Sequence, residues 1–143
     1  MSAPAIARIL ETVLYVDDLE AAERFYGEVL GLELDSRKDG LFAFFRLEDA
    51  MLLLFEPEAA GQGRHVPAHG SSGPGHLCFA MAETDLDAWQ TRLEASGIAI
   101  EHRQDWPRGG RSFYFRDPAG NSLEFATPLI WGFSDDPQAG DHR

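Results

Sequence analysis

The chain has 143 residues and a net charge of −12, from 24 acidic and 12 basic side chains. This length suits one domain, and the negative charge excludes phosphate backbones and anionic lipid surfaces as expected partners, so we predict neither a nucleic-acid nor a membrane partner. The single cysteine, Cys78, excludes an intramolecular disulfide, and the first residues lack a signal-peptide pattern. We therefore expect a cytoplasmic protein.

The first half of the chain alternates strand and helix signals. Residues 7–16 have the pattern of a strand, and Asp17 is predicted to cap an amphipathic helix that stops at Gly31. Strands are predicted over residues 32–37, 41–47 and 51–56, with a hairpin turn at Asp39 and Gly40. Residues 57–74 are rich in Gly, Pro and Ala, which fits either a linker between two halves or a mobile flap over a site.

The second half repeats the same order. Residues 76–81 are the predicted first strand, Thr84 is the predicted helix cap, and strands follow at 98–103, 111–116 and 121–127, with a turn at 117–120. The offset of about 65 to 67 residues is typical of a duplicated supersecondary unit. We therefore predict one domain over residues 1–143 with two βαβββ modules, at about 7–56 and 75–127, and a tail at 128–143 whose end is disordered.

The repeat carries ionisable side chains to matching positions. Glu11 and His76 each open an otherwise apolar strand, and strand parity places Glu124 on the face away from the large apolar residues. Two carboxylates and one imidazole that converge make a divalent-metal site, so we predict one bound ion, with Mn²⁺, Zn²⁺, Ni²⁺ and Fe²⁺ as the candidates. The alternative for each residue is a solvated or ion-paired position at a strand end.

Several segments, in this order and spacing, resemble the vicinal oxygen chelate superfamily, the group of glyoxalases, bleomycin-resistance proteins and extradiol dioxygenases. They lie at residues 13–19, 25–26, 29–32, 75–77, 114–121 and 123–124. The resemblance implies an α+β fold in which the two modules form a curved eight-stranded mixed sheet, shaped as a cup around a metal, with the helices on its outer face. It assigns metal-ligand positions to Glu11, His76 and Glu124. It also implies a homodimer, which the apolar residues 129–133 favour.

The resemblance implies further roles near the metal. In glyoxalase I enzymes, the last strand of the first module supplies a fourth ligand, a Glu that also moves protons. Aligning Arg46 with Arg116 places Leu54 at that position, and Glu56, two residues further on, is the candidate catalytic base. The hemithioacetal of methylglyoxal and glutathione is therefore expected to be a poor substrate.

Other candidates line the expected cup. By similarity to fosfomycin-resistance members, Tyr114 is a candidate catalytic residue and Ser112 a candidate substrate-binding residue. Arg108 and Arg111 are candidates for binding an anionic substrate, because guanidinium groups bind carboxylates and phosphonates with two hydrogen bonds. His69, in the Gly-rich segment, is a candidate substrate-binding residue and proton donor.

These observations predict a metal-dependent lyase, isomerase or epoxide-opening enzyme that acts on a small oxygenated substrate. Two alternatives stay open. One is a bleomycin-resistance-type protein that binds a small molecule without catalysis. The other is a ring-cleaving dioxygenase, which is less favoured because the non-haem iron pattern has two histidines and one carboxylate.

Overall fold

A computed structural model describes residues 3–62 and 64–134 of the protein. The chain divides into two compact units, of which the first ends at Ser72 and the second begins at Gly73. The disorder predicted for the end of the tail concerns residues 134–143, of which 135–143 lie outside the described residues. No helix in the described ranges is long and apolar enough to cross a membrane.

The first unit contains a four-stranded sheet in the order β1, β4, β3, β2. The strands are β1 (Glu11–Tyr15), β2 (Glu33–Lys38), β3 (Phe42–Arg46) and β4 (Met51–Phe55). β1 is parallel to β4, whereas β4 with β3 and β3 with β2 are antiparallel. β1 is shorter than the predicted strand at 7–16, because its neighbour β4 begins at Met51, opposite Glu11.

The first helix packs on one face of this sheet. α1 (Leu19–Arg24) continues as a π-helical segment (Phe25–Val29) that contributes the buried rings of Phe25 and Tyr26. The predicted cap, Asp17, is wrong: the carboxylate of Asp18 accepts a hydrogen bond from the backbone N–H of Ala21 at 3.0 Å. A short helix, α2 (Pro57–Ala60), lies inside the predicted Gly-rich segment.

The second unit repeats this topology, with strand order β5, β8, β7, β6. The strands are β5 (His76–Ala80), β6 (His102–Asp105), β7 (Arg111–Arg116) and β8 (Ser122–Ala126), with α3 (Glu83–Ala95) after β5 and a 3₁₀ helix (Pro128–Trp131) after β8. The cap prediction at Thr84 is wrong, because α3 starts at Glu83 with Ala82 as its N-cap. The strand predicted at 98–103 lies instead at 102–105, where it pairs with β7.

The predicted α+β class and the two βαβββ modules are confirmed. The eight strands hydrogen-bond as two four-stranded mixed sheets rather than as one continuous sheet. In the second unit, the rings of Phe113, Phe115 and Phe125 contact one another, and Trp89 of α3 packs against Phe125 with ring centroids 5.1 Å apart. Because side chains alternate along a strand, this packing leaves Glu124 on the sheet face away from α3.

Candidate metal centre

The candidate centre is the pair His76 and Glu124 in the second unit. Glu124 lies in the middle of β8 with Cys78 of β5 and Tyr114 of β7 as its cross-strand neighbours. His76 opens β5, and its Nε2 is 3.3 Å from Oε1 of Glu124. The Glu124 side chain is 7% exposed and that of His76 is 51% exposed, so one partner is buried and the other is open to solvent.

A backbone contact determines the tautomer of His76, and with it whether the nitrogen that faces Glu124 carries a hydrogen or a lone pair. Nδ1 of His76 lies 2.9 Å from the backbone carbonyl oxygen of Ser122, and because a carbonyl only accepts, Nδ1 carries the hydrogen. In the neutral imidazole, Nε2 then presents its lone pair to a carboxylate oxygen. Two acceptors at 3.3 Å repel each other unless a cation lies between them, either a proton or a metal ion.

The buried carboxylate of Glu124 has a second oxygen without a partner. Oε2 is inaccessible to solvent and has no donor with hydrogen-bond geometry among the described residues, although the neighbouring Cys78 thiol and Tyr114 hydroxyl interact with this carboxylate. A buried carboxylate oxygen left unpaired is unfavourable, and a cation relieves this penalty. Two atoms bound to one ion at about 2.0–2.2 Å lie roughly 3.0–3.4 Å apart, so the observed separation of His76 and Glu124 suits two ligands of a single divalent metal. The residues present therefore fit the implied metal.

A turn before β8 holds these two residues in place. Both Ala119 and Asn121 donate their backbone N–H groups to Oδ1 of Asp117, and the amide nitrogen of Asn121 donates to Oδ2 of Asp117. The side-chain oxygen of Asn121 accepts from the backbone N–H of Gly75 at 2.7 Å. This network links the start of β8 to the residue before His76. Sequence analysis identified this segment as a turn and as part of the superfamily resemblance, but not as the hydrogen-bonded link to Gly75, for which Asp117 and Asn121 were the available signal.

Three more side chains share this face of the sheet. Although Cys78 is exposed as a residue, partial burial of its thiol and the negative charge of Glu124 raise the pKa of Cys78 to about 12. Burial first and the charge of Glu124 second also raise the pKa of Tyr114. The hydroxyl of Ser112 is buried and accepts a hydrogen bond from the indole N–H of Trp106 at 2.9 Å. The roles predicted for Tyr114 and Ser112 remain predictions, and both residues lie on the face that carries Glu124.

The third predicted ligand, Glu11, lies in the first unit. It is the first residue of β1, is exposed, and lines a cavity of about 920 Å³ in that unit. Within residues 3–62 and 64–134, no cluster of three His, Cys, Asp or Glu side chains is close enough to hold a metal ion. The structure therefore brings together His76 and Glu124, and the ligand role of Glu11 stays a prediction.

The correspondence proposed for Leu54 is wrong by one residue. The register pairs Arg46 with Met51 and Arg116 with Ser122, so the position in β4 that matches Glu124 is Leu53. Leu54 is fully buried on the other face of the sheet. The position is apolar under either assignment, because both Leu53 and Leu54 are leucines.

Glu56 has a different role from the predicted base. Its side chain is the N-cap of α2, where Oε1 accepts from the backbone N–H of Glu58 at 3.2 Å and Oε2 from that of Ala59 at 2.8 Å. With both oxygens used by the backbone, the carboxylate is held as a structural cap. We therefore leave Glu56 out of the proposed site.

Of the two arginines predicted to bind substrate, Arg111 faces away from Glu124, and the role of Arg108 stays a prediction. Arg111 forms ion pairs with Glu83 at 2.8 Å and Asp87 at 3.0 Å, both on α3, so it faces the helix side of the sheet and not Glu124. The side chain of Arg108 lies beside Gly132, just after the 3₁₀ helix. His69 is in the first unit, where its Nδ1 is 2.6 Å from the hydroxyl of Tyr15.

Comparison with known proteins agrees with this geometry. The model of the glyoxalase/bleomycin resistance protein/dioxygenase superfamily matches residues 8–125. The chain belongs to this superfamily. Its solved relatives include the structure described as lactoylglutathione lyase from Agrobacterium tumefaciens, with a TM-score of 0.88 and 44% identity over 91% of this chain and 100% of that one.

Some sequence relatives of this superfamily member carry transferase names. Glutathione transferase FosA from Serratia marcescens is 35% identical over 78% of this chain and 74% of its own length. Metallothiol transferase FosB from Lysinibacillus sphaericus is 27% identical over 80% of this chain and 78% of its own length. The relatives support a metalloenzyme type of superfamily member without specifying one reaction.

Proposed function

We propose that this superfamily member is a divalent-metal-dependent enzyme that acts on a small oxygenated substrate. It either opens an epoxide of that substrate or transfers a thiol to it. The observation that carries the proposal is the pair formed by His76 Nε2 and the buried Glu124 carboxylate, whose second oxygen lacks a partner among the described residues. Glu11, from this chain or from a second copy, is the proposed third ligand. Three such ligands leave coordination positions for a substrate with two neighbouring oxygens.

The chain's own residues prepare this site in three ways. The Ser122 carbonyl holds His76 in the tautomer that leaves Nε2 available, which is how histidine ligands are oriented in metalloproteins. Burial of Glu124 strengthens its attraction for a cation, since few water molecules screen its charge. When bound, the metal would supply Lewis-acid stabilisation of negative charge on a substrate oxygen. Tyr114, beside Glu124, is positioned to hydrogen-bond that oxygen through its protonated phenol.

Thiol transfer is favoured over the glyoxalase reaction for a chemical reason. The glyoxalase-type isomerisation implied by the superfamily resemblance needs a carboxylate at the position of the first module that Leu53 occupies here. A leucine neither binds a metal nor moves a proton. Addition of a thiol to an epoxide needs mainly stabilisation of the developing alkoxide, which the proposed site can provide. The names of the transferase relatives agree with this choice, whereas the name of the lyase relative favours the alternative.

Metal titration tests the first part of this proposal. Metal-free protein is titrated with Mn²⁺, Zn²⁺ and Ni²⁺ by isothermal calorimetry, and wild type is expected to bind about one ion per chain. His76→Ala and Glu124→Gln should each lose most of the affinity. Glu94→Gln is the control, because Glu94 is an exposed glutamate on α3, on the other side of the sheet from Glu124. Stoichiometric binding by His76→Ala at wild-type affinity would place the metal elsewhere.

Turnover assays test the second part. The metal-loaded enzyme is incubated with glutathione and a panel of small epoxides, and thiol consumption is followed. Loss of turnover in Glu124→Gln, with Glu94→Gln active, is the expected result. Metal binding without turnover of any epoxide would favour the alternative of a protein that binds a small molecule without catalysis.

We also propose that the protein acts as a homodimer. The apolar side chains after β8 are exposed in the described residues, with Leu129 at 45%, Trp131 at 69% and Phe133 at 68%. An exposed cluster of large apolar side chains commonly marks a surface that packs on another molecule. A second copy of the chain is the occupant that the superfamily resemblance implies.

A further inference from the structure

The first unit contains a cavity to which the proposed metal chemistry assigns a role only through Glu11, one of its lining residues. Its volume is about 920 Å³, which is in the size range of small-molecule sites. The floor of the cavity is apolar and is formed by side chains of β3, β4 and the turn before β3. These are Leu41, Phe42, Phe44, Met51, Leu53 and Phe55.

Three phenylalanine rings give this floor a flat aromatic character. Phe42 and Phe44 are stacked, with ring centroids 4.0 Å apart and an angle of 17° between their planes. Phe55 meets them edge-on, at 5.3 Å from Phe44 and 6.2 Å from Phe42. Phe42 and Phe44 are only partly buried, so part of their surface remains available to a ligand. An aromatic ring in the cavity would extend this packing with offset or edge-on contacts.

The polar lining of the cavity is basic although the chain as a whole is acidic. Lys38, Arg64, His65 and His69 line the cavity, with Glu11 as the carboxylate among the lining residues. A concentration of donors and positive charge in a protein of net charge −12 is a local departure from the average surface. Such a lining favours an anionic ligand over a neutral or cationic one.

Arg64 is the side chain best placed to bind that anion. Its guanidinium carbon is 6.0 Å from the centre of the Phe55 ring, at the boundary between the aromatic floor and the polar lining. Its Nε is inaccessible to solvent and has no hydrogen-bond partner in the described part of the chain. The guanidinium group of Arg64 lines the cavity and carries five N–H donors in all, so a ligand carboxylate there can accept charge-assisted hydrogen bonds from this side chain.

The segment that carries these donors is attached to the sheet. Nδ1 of His69 and the hydroxyl of Tyr15 are 2.6 Å apart and share a hydrogen, and the backbone N–H of His69 donates to the carbonyl of Ala60. The His69 ring packs edge-on against Phe55 at 4.6 Å. The predicted Gly-rich segment is thus held against the cavity at His69 and supplies part of its polar lining.

We propose that this cavity binds an aryl carboxylate, with the ring on the phenylalanine floor and the carboxylate on Arg64. The substrate of the enzyme accordingly carries an aromatic group and an anion in addition to its reactive oxygens. The inference rests on the proposed function, because Glu11 both lines the cavity and is the proposed third ligand. A neutral aromatic molecule offers the Arg64 guanidinium no negative charge, and a cationic one is repelled by the same side chain.

Calorimetric titration of metal-free protein with 2-naphthoate tests the inference. The neutral analogue 2-naphthylmethanol serves as the comparison ligand. Arg64→Gln should lower the affinity for 2-naphthoate by at least about tenfold and leave the affinity for 2-naphthylmethanol nearly unchanged. The variant removes a charge-assisted hydrogen bond and keeps the aromatic floor of the cavity. The matched control is Arg103→Gln, whose guanidinium lies on β6 in the second unit and bonds to Gln90. Phe44→Leu should lower the affinity for both ligands.

The outcomes separate this inference from the proposed function. Failure of 2-naphthoate to bind wild type, or equal weakening of both ligands by Arg64→Gln, would overturn the aryl carboxylate site. Binding that depends on Arg64 and persists in His76→Ala supports the site independently of the metal. If His76→Ala also keeps the metal, the proposed metal centre fails while the aryl carboxylate site stands.

Discussion

Replacing Glu124 with leucine should change the stability of this protein in opposite directions with and without metal. In the metal-free protein, the carboxylate is buried and its Oε2 lacks a partner among the described residues. Relief of an unsatisfied buried polar group contributes about 1–3 kcal/mol. The sheet of the first unit carries Leu53 at the same register, between Val13 and Phe44, so the topology accommodates leucine at this position.

The magnitude follows from these contacts. We expect Glu124→Leu to raise the free energy of unfolding of the metal-free protein by about 1–2 kcal/mol, which is roughly 2–8 °C in melting temperature for a chain of this size. Wild type should gain about 2.7 kcal/mol when the metal concentration is 100 times its dissociation constant, and the variant should gain nothing. The order of the two stabilities therefore reverses when metal is added.

Differential scanning calorimetry in EDTA and in excess Zn²⁺ or Mn²⁺ measures this reversal. Glu94→Leu is the control, because Glu94 is an exposed glutamate on α3. Equal metal-induced shifts in wild type and Glu124→Leu would refute the assignment of Glu124 as a ligand. A loss of stability in EDTA would show that the buried carboxylate is satisfied in the metal-free protein.

Four other outcomes are expected. Glu56→Ala should lower stability by about 1 kcal/mol through loss of the α2 cap and leave turnover unchanged, as chemical denaturation and the thiol assay will show. Gly110→Ala should lower the free energy of unfolding by about 2 kcal/mol in urea denaturation, because the residue has φ of 80° and its Cβ would lie 2.5 Å from Thr127 Oγ1. Gly70→Ala is the control and should be nearly neutral, because a Cβ there meets open space. The hemithioacetal of methylglyoxal and glutathione should not be turned over while Leu53 occupies the carboxylate position, and a rate on the order of 10 s⁻¹ would contradict this. Light scattering at tens of micromolar should give the mass of a dimer, and a monomer would count against the exposed apolar tail as an interface.

Sequence periodicity predicted most of the fold because it is a local property of each strand and helix. β7 has the predicted bounds, residues 111–116, which lie between the glycines at 109–110 and the turn at 117–120. The alternation of side chains along a strand placed His76, Cys78 and Glu124 on one face, and the cross-strand pairing of Cys78 with Glu124 agrees with it. Helix starts were less accurate, because Asp17 and Asp18 are both good cap residues and only the backbone conformation selects one.

Register and long-range partners were decided by the tertiary structure. The connection between β3 and β4 is one residue shorter than that between β7 and β8, so counting from Arg46 reached Leu54 instead of Leu53. A charged side chain in a sequence also does not reveal its partner: Glu56 caps α2, and Arg111 pairs with carboxylates on α3. These contacts join segments or backbone groups whose positions depend on how strands pair and how helices pack.

The sequence by itself determined the duplicated topology and the position of His76 and Glu124 on a common sheet face, because both follow from local pattern and strand parity, and the resemblance of its motifs indicated the superfamily. Only the tertiary structure decided that the Ser122 carbonyl orients His76, that Glu124 is buried with an unpartnered oxygen among the described residues, and that Arg64 borders an aromatic cavity. The physical reason is that burial and hydrogen-bond satisfaction depend on atoms from distant segments, which the order of residues along one strand does not specify.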